Sequence, residues 1–359
     1  MIDVKLQSVL SRVYDSDVPA RSDLEYLLAL EEPSKVAHLF AFADAVRKEH
    51  VGDGILLRGI IEFSNHCRNT CLYCGLNRDN SHLERYRLSR WQILQRVEKL
   101  VRCGIKTVVL QSGEEDALDP YWFEQLIEEI TSKFDIAVTL SVGQKSCREY
   151  ELWKRAGANR YLLKIETIDP ELYASLHPGM SFDNHLRCTF DLQAIGYQTG
   201  SGNIVGLRGQ TIATLAEDIL FFRERDFDMI SVGPFIPNRN TALGGRPLGD
   251  LGLTLRCMAV TRIVTKNTHI PSNTAIASLA GRDGTIAALQ AGANVVMPNF
   301  TPEAYRNLYE IYPGKKYITP EESISQIEKI ASELTRYLDY NRGDSLKCKK
   351  EQATATAEN

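Results

Sequence analysis

The chain has 359 residues, 43% of them hydrophobic, with a formal net charge of -4 and a sequence pI near 6.0. This charge gives no broad basic surface for nucleic acid, and no stretch reaches the roughly 18 apolar residues that a membrane span requires. Residues 1–13 lack the basic and then apolar layout of a signal peptide. We therefore expect a cytoplasmic protein that keeps its thiols reduced and that binds a small molecule or another protein.

Residues 1–50 are predicted to form a helical extension, because apolar residues such as Leu24, Leu27 and Leu28 recur at helix-like intervals. From residue 51 onwards, short apolar runs alternate with amphipathic helical patterns, as parallel strands with crossover helices require. The predicted strands are 56–64, 106–112, 136–142, 160–166, 198–205, 229–236, 270–277 and 294–298. Eight strand–helix units predict an α/β fold, a closed (β/α)8 barrel of TIM type over residues 51–340.

After the eighth strand, Thr319-Pro320-Glu321-Glu322 has the form of a capping box with proline at the first helical position. This pattern predicts a C-terminal helix that packs against the barrel. Residues 341–359 are polar, and we expect them to form a disordered tail.

Three cysteines, Cys67, Cys71 and Cys74, follow the first predicted strand on one short loop. They can face a common point, and three thiolates suit an iron–sulfur cluster with one iron open to a small molecule. A zinc site is an alternative, but it needs a fourth ligand, and neither His66 nor His82 has the usual spacing. A disulfide framework is not expected from eight cysteines in 359 residues without a signal peptide, and inert buried thiols are the remaining alternative.

The C-terminal ends of parallel barrel strands share one mouth, where sites are built. Polar candidates at these predicted ends are Gln111, Gly113, Glu114, Thr139, Ser141 and Glu166. Arg58 and Arg160 lie inside apolar strand patterns, where a cation is costly unless an anion meets it. The alternative is that both reach out at the N-terminal ends of their strands.

The CxxxCxxC spacing with Tyr73 before the last cysteine, and Gly113-Glu114 after the second strand, resemble the radical S-adenosylmethionine (SAM) superfamily. Within it, residues 51–315 are similar to the HydE-type maturases of FeFe-hydrogenase. The similar segments are Ile61-Glu62-Phe63-Ser64-Asn65, Cys74-Gly75-Leu76, Val109-Leu110-Gln111-Ser112-Gly113-Glu114, Arg160-Tyr161-Leu162-Leu163, Gly233-Pro234-Phe235-Ile236-Pro237, Asn294-Val295-Val296-Met297-Pro298-Asn299 and Tyr312-Pro313-Gly314-Lys315.

The resemblance implies a 4Fe-4S cluster on the three cysteines, SAM bound to its open iron, and reductive cleavage of SAM to a 5′-deoxyadenosyl radical. It places Tyr73 near the adenine, Glu114 near the methionine amino group and Glu166 at the ribose hydroxyls. The predicted cofactor-binding residues are Tyr73, Gly113, Glu114, Thr139, Ser141, Glu166 and Arg187. Arg187 is included because it could replace the family's usual contact with the methionine carboxylate.

The resemblance also implies a cavity for a small organometallic or thiol amino-acid substrate, in the family a cysteine-bound iron carbonyl-cyanide complex. The predicted substrate-binding residues are Arg58, Gln111, Arg160, Met229, Thr274, Met297, Tyr305 and Tyr309. Expected partners are an electron donor such as flavodoxin or ferredoxin and other hydrogenase maturases, with no nucleic acid and no membrane.

The chain departs from the family's pattern at several positions. Lys164-Ile165 stands where Arg-His is expected, His185 replaces an arginine, and Asn273 replaces a threonine. Residues 316–319 hold no cysteine for an accessory cluster. Three other functions stay open: an amino-acid mutase like methylornithine synthase, a biotin-synthase-like sulfur insertion, and a non-catalytic carrier of an iron complex.

Overall fold

A computed structural model describes residues 3–314 and 317–347. Its first three helices, α1 (Val4–Asp15), α2 (Arg21–Leu28) and α3 (Pro33–Val51), lie in the segment predicted to be helical. Asp3 caps α1 by accepting a hydrogen bond from the backbone N–H of Leu6, and the three helices pack their leucines into the main core. None of the described helices has the length and apolar character needed to cross a membrane.

Strands and helices alternate through the rest of the chain. The strands are β1 (Gly54–Leu57), β2 (Gly59–Ser64), β3 (Thr107–Ser112), β4 (Ala137–Ser141), β5 (Ala158–Leu162), β6 (Gln198–Val205), β7 (Met229–Pro234), β8 (Pro271–Ser272), β9 (Val295–Val296) and β10 (Tyr337–Asp339). The helices are α4 (Arg90–Arg102), α5 (Pro120–Lys133), α6 (Cys147–Arg155), α7 (Pro170–Leu176), α8 (Phe182–Ala194), α9 (Ile212–Glu224), α10 (Leu251–Thr265), α11 (Thr274–Gln290), α12 (Glu303–Arg306) and α13 (Pro320–Glu333). The predicted capping boxes at the starts of α4 and α13 are both formed.

All paired strands run parallel. One sheet has the order β2-β3-β4-β5-β6-β7 and the other β10-β1-β9-β8, while β1 and β2 form one run interrupted only at Arg58. Isolated bridges between Ile60 and Asn299 and between Met229 and His269 connect the two sheets on both sides. The strand order therefore follows the chain around, as expected for a fold of TIM-barrel type, although in the described part of the chain only these isolated bridges join the two sheets.

Two predicted strands are shorter than their apolar patterns suggested. The strand predicted over 270–277 ends at Ser272, because the Asn273 side chain accepts from the Ile276 backbone N–H and starts α11. The strand predicted over 160–166 ends at Leu162, and Glu166 has a left-handed backbone with φ 67°. Both irregular ends fall at the mouth of the barrel.

The barrel interior is polar and contains several glycines, unlike the packed branched side chains of many TIM barrels. Alternate strand residues such as Val108, Leu110, Val138 and Leu140 belong to the outer core under the helices, so their neighbours face inwards. The inward set includes Arg58, Glu62, Thr107, Gln111, Thr139, Ser141, Arg160, Lys164, Gln198, Gly200, Gly202, Met229, Ser231 and Gly233. Such an interior leaves room for a small polar ligand.

Residues 341–347, which the sequence assigned to a disordered tail, are ordered at the N-terminal end of the barrel. The Asp344 carboxylate accepts from Arg160 Nη2 at 2.7 Å, and the Arg342 carbonyl accepts from the same nitrogen at 2.7 Å. The Ser345 backbone N–H donates to Gln198 at 2.9 Å. The buried Arg160 cation needs these acceptors, which explains the order of a segment of polar composition. Residues 348–359 of the predicted tail lie outside the described residues.

Candidate active site

The cysteine loop, residues 64–75, follows β2 and is held by backbone hydrogen bonds from four other parts of the chain. The Arg68 N–H donates to the Glu114 carbonyl at 2.8 Å, and the Leu72 N–H donates to the Leu176 carbonyl at 3.0 Å. The Leu72 carbonyl accepts from Leu243, and the Gly75 N–H donates to Ile311. The backbone that carries the three thiols is therefore held by the loops and the helix end around it.

Cys67, Cys71 and Cys74 are all free and partly buried. Burial first, and then the charges of Cys74 and Cys67, raise the pKa of Cys71, which places the three sulfurs in one electrostatic neighbourhood. Among the described residues, no three His, Cys, Asp or Glu side chains converge closely enough to hold a single metal ion. Three thiols on one loop fit a cluster that leaves one iron open better than a closed zinc site, which needs a fourth ligand.

Gly113 and Glu114 lie against this loop, as predicted from their place after β3. A Cβ atom on Gly113 would lie 2.3 Å from the His66 carbonyl oxygen and 2.8 Å from Cys67 Cβ, so only glycine allows this approach. Glu114 is buried, and its carboxylate accepts from Arg68 Nε at 2.8 Å and from the Gln144 backbone N–H at 2.6 Å. These bonds orient the Glu114 carboxylate beside the cysteine loop.

Tyr73 belongs to the rim of this mouth. Its hydroxyl lies 2.9 Å from His177 Nε2, and burial raises the pKa of Tyr73, so the phenol stays protonated. The His177 Nδ1 lies 2.9 Å from the Tyr173 carbonyl, which fixes the ring orientation. Tyr73 is thus an ordered aromatic face next to Cys74, in keeping with its predicted place near an adenine.

Glu166 is held in the mouth by an unusual backbone. Its φ of 67° is uncommon for a residue with a side chain and is stabilised by its backbone hydrogen bonds with Gly202 and Ile204 on β6. The Glu166 Oε2 lies 2.9 Å from the Lys164 ammonium, yet within the described part of the chain no donor is aligned with it as a hydrogen bond. The carboxylate therefore retains capacity to accept from a ligand.

His185 cannot supply the positive charge of the arginine that it replaces. It is buried, its Nδ1 lies 3.1 Å from the Tyr173 hydroxyl and 3.2 Å from Gln144 Nε2, and burial lowers its pKa to about 3. Arg187 bonds to the Asp191 carboxylate and to Asn184 on its own helix. Its contact with a methionine carboxylate stays a prediction.

Gln144 is a residue that the sequence analysis missed. Its backbone N–H donates a hydrogen bond to Glu114, and its side-chain amide hydrogen-bonds with His185 and Asn184. Gln144 therefore connects the segment after β3 with helix α8 at the mouth. The sequence did contain a signal for Gln144, because Gly143-Gln144 comes two residues after the end of β4, at the same end of the barrel as Ser141. Thr139, also on β4, is buried, and its Oγ1 has no hydrogen-bond partner among the described residues.

The two predicted arginines lie at the N-terminal end of the interior, but they differ in their partners. Arg160 bonds Thr107, Gln198 and the Asp344 carboxylate. Among the described residues, the Arg58 guanidinium hydrogen-bonds only to the Met229 sulfur at 2.8 Å and the Gly343 carbonyl at 3.1 Å, both uncharged, and its buried Nε has no partner. The charges of Asp344 and Asp228 reach Arg58 only through space, so Arg58, unlike Arg160, has no carboxylate hydrogen-bonded to it in the described part of the chain.

The other predicted substrate contacts fall into three places. Gln111 faces the interior and donates to the Tyr309 hydroxyl at 3.1 Å. Thr274 and Met297 line a cleft of about 710 Å³ between α11 and α13. Tyr305 does not join them, because its ring packs on Tyr86 and its hydroxyl lies 3.4 Å from Gln92 of α4.

Comparison with known proteins places this site in a family. The radical SAM superfamily matches residues 61–222. The chain is 47% identical over 300 residues to the FeFe hydrogenase maturase subunit HydE of Thermotoga maritima, covering 82% of this chain and 84% of the relative. It is 30% identical over 280 residues to 3-methylornithine synthase of Methanosarcina acetivorans, covering 76% and 77%. The crystal structure of methylornithine synthase (PylB) superposes with a TM-score of 0.82 at 26% identity over 92% of this chain and 97% of that one. The chain therefore belongs to the radical SAM superfamily and, within it, to the HydE family of FeFe-hydrogenase maturases.

Proposed function

We propose that the barrel acts on a small sulfur-bearing, anionic ligand, such as a cysteine-bound iron carbonyl-cyanide complex, during assembly of the FeFe-hydrogenase active site. As a radical SAM enzyme, the protein uses a 4Fe-4S cluster and SAM, which together supply reductive cleavage of the sulfonium to a 5′-deoxyadenosyl radical. The observation that carries the substrate proposal is the buried Arg58, which hydrogen-bonds to no carboxylate among the described residues and lies in an interior rich in polar groups.

The residues around the mouth support this use of the cofactors. Cys67, Cys71 and Cys74 would hold the cluster, because they are the three thiols on the loop that closes the mouth. Glu114 and Glu166 would bind the polar groups of SAM, since an ordered carboxylate next to an open interior can accept charge-assisted hydrogen bonds from an ammonium or from hydroxyls. Tyr73 would provide a flat wall for SAM, and Gly113 would let the backbone lie close to it. Thr139 and Ser141 would supply further polar groups from β4.

At the far end of the interior, we assign the anion contact to Arg58. Arg160 already pairs with the Asp344 carboxylate. Burial, and then the charge of Arg160, lower the pKa of Arg58, which means that the charged form of Arg58 is costly in this place. A ligand carboxylate or cyanide at Arg58 would relieve the cost of this buried cation. Met229 beside it offers a soft, adaptable wall, and Gln111 offers a side-chain amide higher in the barrel.

The competing proposal is an amino-acid mutase, because 3-methylornithine synthase is also a relative. Isothermal titration calorimetry with cysteine and with lysine, each in the presence of SAM, separates the two. We expect wild type to prefer cysteine, and Arg58→Gln to weaken cysteine binding by about tenfold or more, the value of one charge-assisted contact.

Arg160→Gln is the matched comparison, since this arginine already has an anion partner and its loss should weaken binding less. Both variants should still produce 5′-deoxyadenosine from SAM without substrate. Preferential binding of lysine, or cysteine binding that is indifferent to Arg58, would favour the mutase instead.

A further inference from the structure

We propose that an acidic one-electron carrier protein docks on the arginine rim, defined as the exposed loops 206–210 and 238–249 with Arg208, Arg239 and Arg246. The inference rests on the proposed function, because a site that cleaves SAM reductively needs electrons delivered to its cluster one at a time. It adds a surface and a partner chemistry to that function.

The two loops of the arginine rim form one surface against the cysteine loop. Leu207 and Leu243, one from each loop, pack in a small apolar cluster with Leu72 of the cysteine loop. The backbones approach closely, because a Cβ atom on Gly206 would lie 2.6 Å from the Gly249 Cα atom. The rim is therefore a fixed wall of the cluster site rather than an independent segment.

The rim also offers a short path for an electron. The Leu243 backbone N–H donates to the Leu72 carbonyl at 3.0 Å, and Leu72 follows Cys71 directly in the chain. Arg246 lies three residues after Leu243 and is exposed. One hydrogen bond and the short stretches of chain on either side of it thus connect the outer surface with a predicted cluster ligand.

The charges of the three rim arginines are available to a partner, whereas those of Arg68 and Arg87, which also lie near the cysteine loop, are paired. Arg208, Arg239 and Arg246 form no ion pair or side-chain hydrogen bond with any residue the structure describes. By contrast, Arg68 pairs with Glu114 and Asp116, and Arg87 pairs with Glu115.

Two acids lie next to the rim loops: Asp250, which follows them in the chain, and Glu310, whose backbone carbonyl accepts from Asn238 Nδ2 at 3.2 Å. The Asp250 carboxylate accepts from the Gly252 backbone N–H at 2.7 Å and caps α10. Leu248 is 51% exposed beside the arginines and can supply apolar contact. Unpaired cations around a small apolar spot attract an acidic protein and accelerate its association, more strongly at low salt.

The test compares electron donors. The rate of 5′-deoxyadenosine formation is measured against the concentration of reduced flavodoxin and of reduced ferredoxin, both acidic carriers, and separately with excess dithionite. In the triple variant Arg208→Glu, Arg239→Glu and Arg246→Glu, the half-saturating carrier concentration should rise about tenfold or more, while the dithionite-driven rate stays that of wild type. Added salt should raise this concentration in wild type and much less in the variant.

Lys106→Glu is the control, because Lys106 is exposed directly before β3 at the opposite end of the barrel. The triple glutamine variant keeps the test valid if charge reversal disturbs folding, and it should show a smaller rise of the same kind. An unchanged carrier dependence in the rim variants, an equal effect of Lys106→Glu, or a wild type that neither carrier reduces would overturn the docking proposal. Absence of 5′-deoxyadenosine with dithionite would instead contradict the reductive cleavage on which it rests.

Discussion

Asp344→Asn should destabilise the protein by about 2 kcal/mol, because Asp344 is the one carboxylate bound to the buried Arg160 among the described residues. Removing one partner of a fully buried ion pair costs about 3 to 5 kcal/mol. The Asp344 side chain is 34% exposed, and solvent screening lowers that cost. The asparagine keeps an acceptor for Arg160 Nη2, so the change acts on charge more than on shape.

The free energy of unfolding can be measured by anaerobic urea titration, with Asp135→Asn as the matched control. Asp135 also approaches an arginine, Arg342 at 3.5 Å, but it is 79% exposed, so its loss should change stability by less than about 0.5 kcal/mol. Equal stabilities of the two variants would refute the assignment of Asp344 as the counter-ion of Arg160.

The pH dependence of the free energy of unfolding gives a second test of the Asp344–Arg160 ion pair. Burial alone would raise the pKa of Asp344, but the charges of Arg160 and Arg342 and the bond from Gln198 lower it from its ordinary value of 3.8. The stability from the pair is therefore complete above that ordinary value and is lost as the pH falls through the lowered pKa. Burial lowers the pKa of Arg160 too, yet a guanidinium stays protonated throughout this window.

Three further changes test other parts of the account. Burial raises the pKa of Asp218 from 3.8 to about 7. Between these two pH values the folded protein holds a proton that the unfolded chain releases, so the free energy of unfolding should fall as the pH rises. Asp218→Asn should flatten that fall in urea titrations, because the variant has no carboxyl group to titrate at this position. Gly143→Ala should lower the free energy of unfolding by about 1 to 2 kcal/mol, because residue 143 has a φ of +80°. The loss should be larger still, because the new Cβ atom would lie 2.5 Å from Glu114 Cβ, and the affinity for SAM should fall together with the stability. Glu166→Gln should weaken SAM binding by about 1.5 to 3 kcal/mol in calorimetry, and an unchanged dissociation constant would remove Glu166 from the site.

The strand–helix order and the cysteine loop were predictable because they depend on local patterns. Apolar periodicity indicated the parallel strands, and the spacing of the cysteines placed them at one strand end. The partner of Arg160 was not predictable, because Asp344 lies 184 residues later in a polar segment whose composition indicates disorder. Gln144 was not predicted for a related reason, since its place in the site depends on tertiary contacts that leave no periodic signal, and the substrate role of Tyr305 stays a prediction.

The proposed reaction depends on Cys67, Cys71 and Cys74 holding the cluster that cleaves SAM. The most direct measurement is iron content and 5′-deoxyadenosine formation, side by side, in anaerobically reconstituted wild type, the three single alanine variants and Cys147→Ala. Cys147 is an exposed thiol of α6, so its variant is the control. We expect about four irons per chain and active cleavage in wild type and Cys147→Ala, and loss of both in each of the other three. Full iron loading with active cleavage in any of those three would contradict the account.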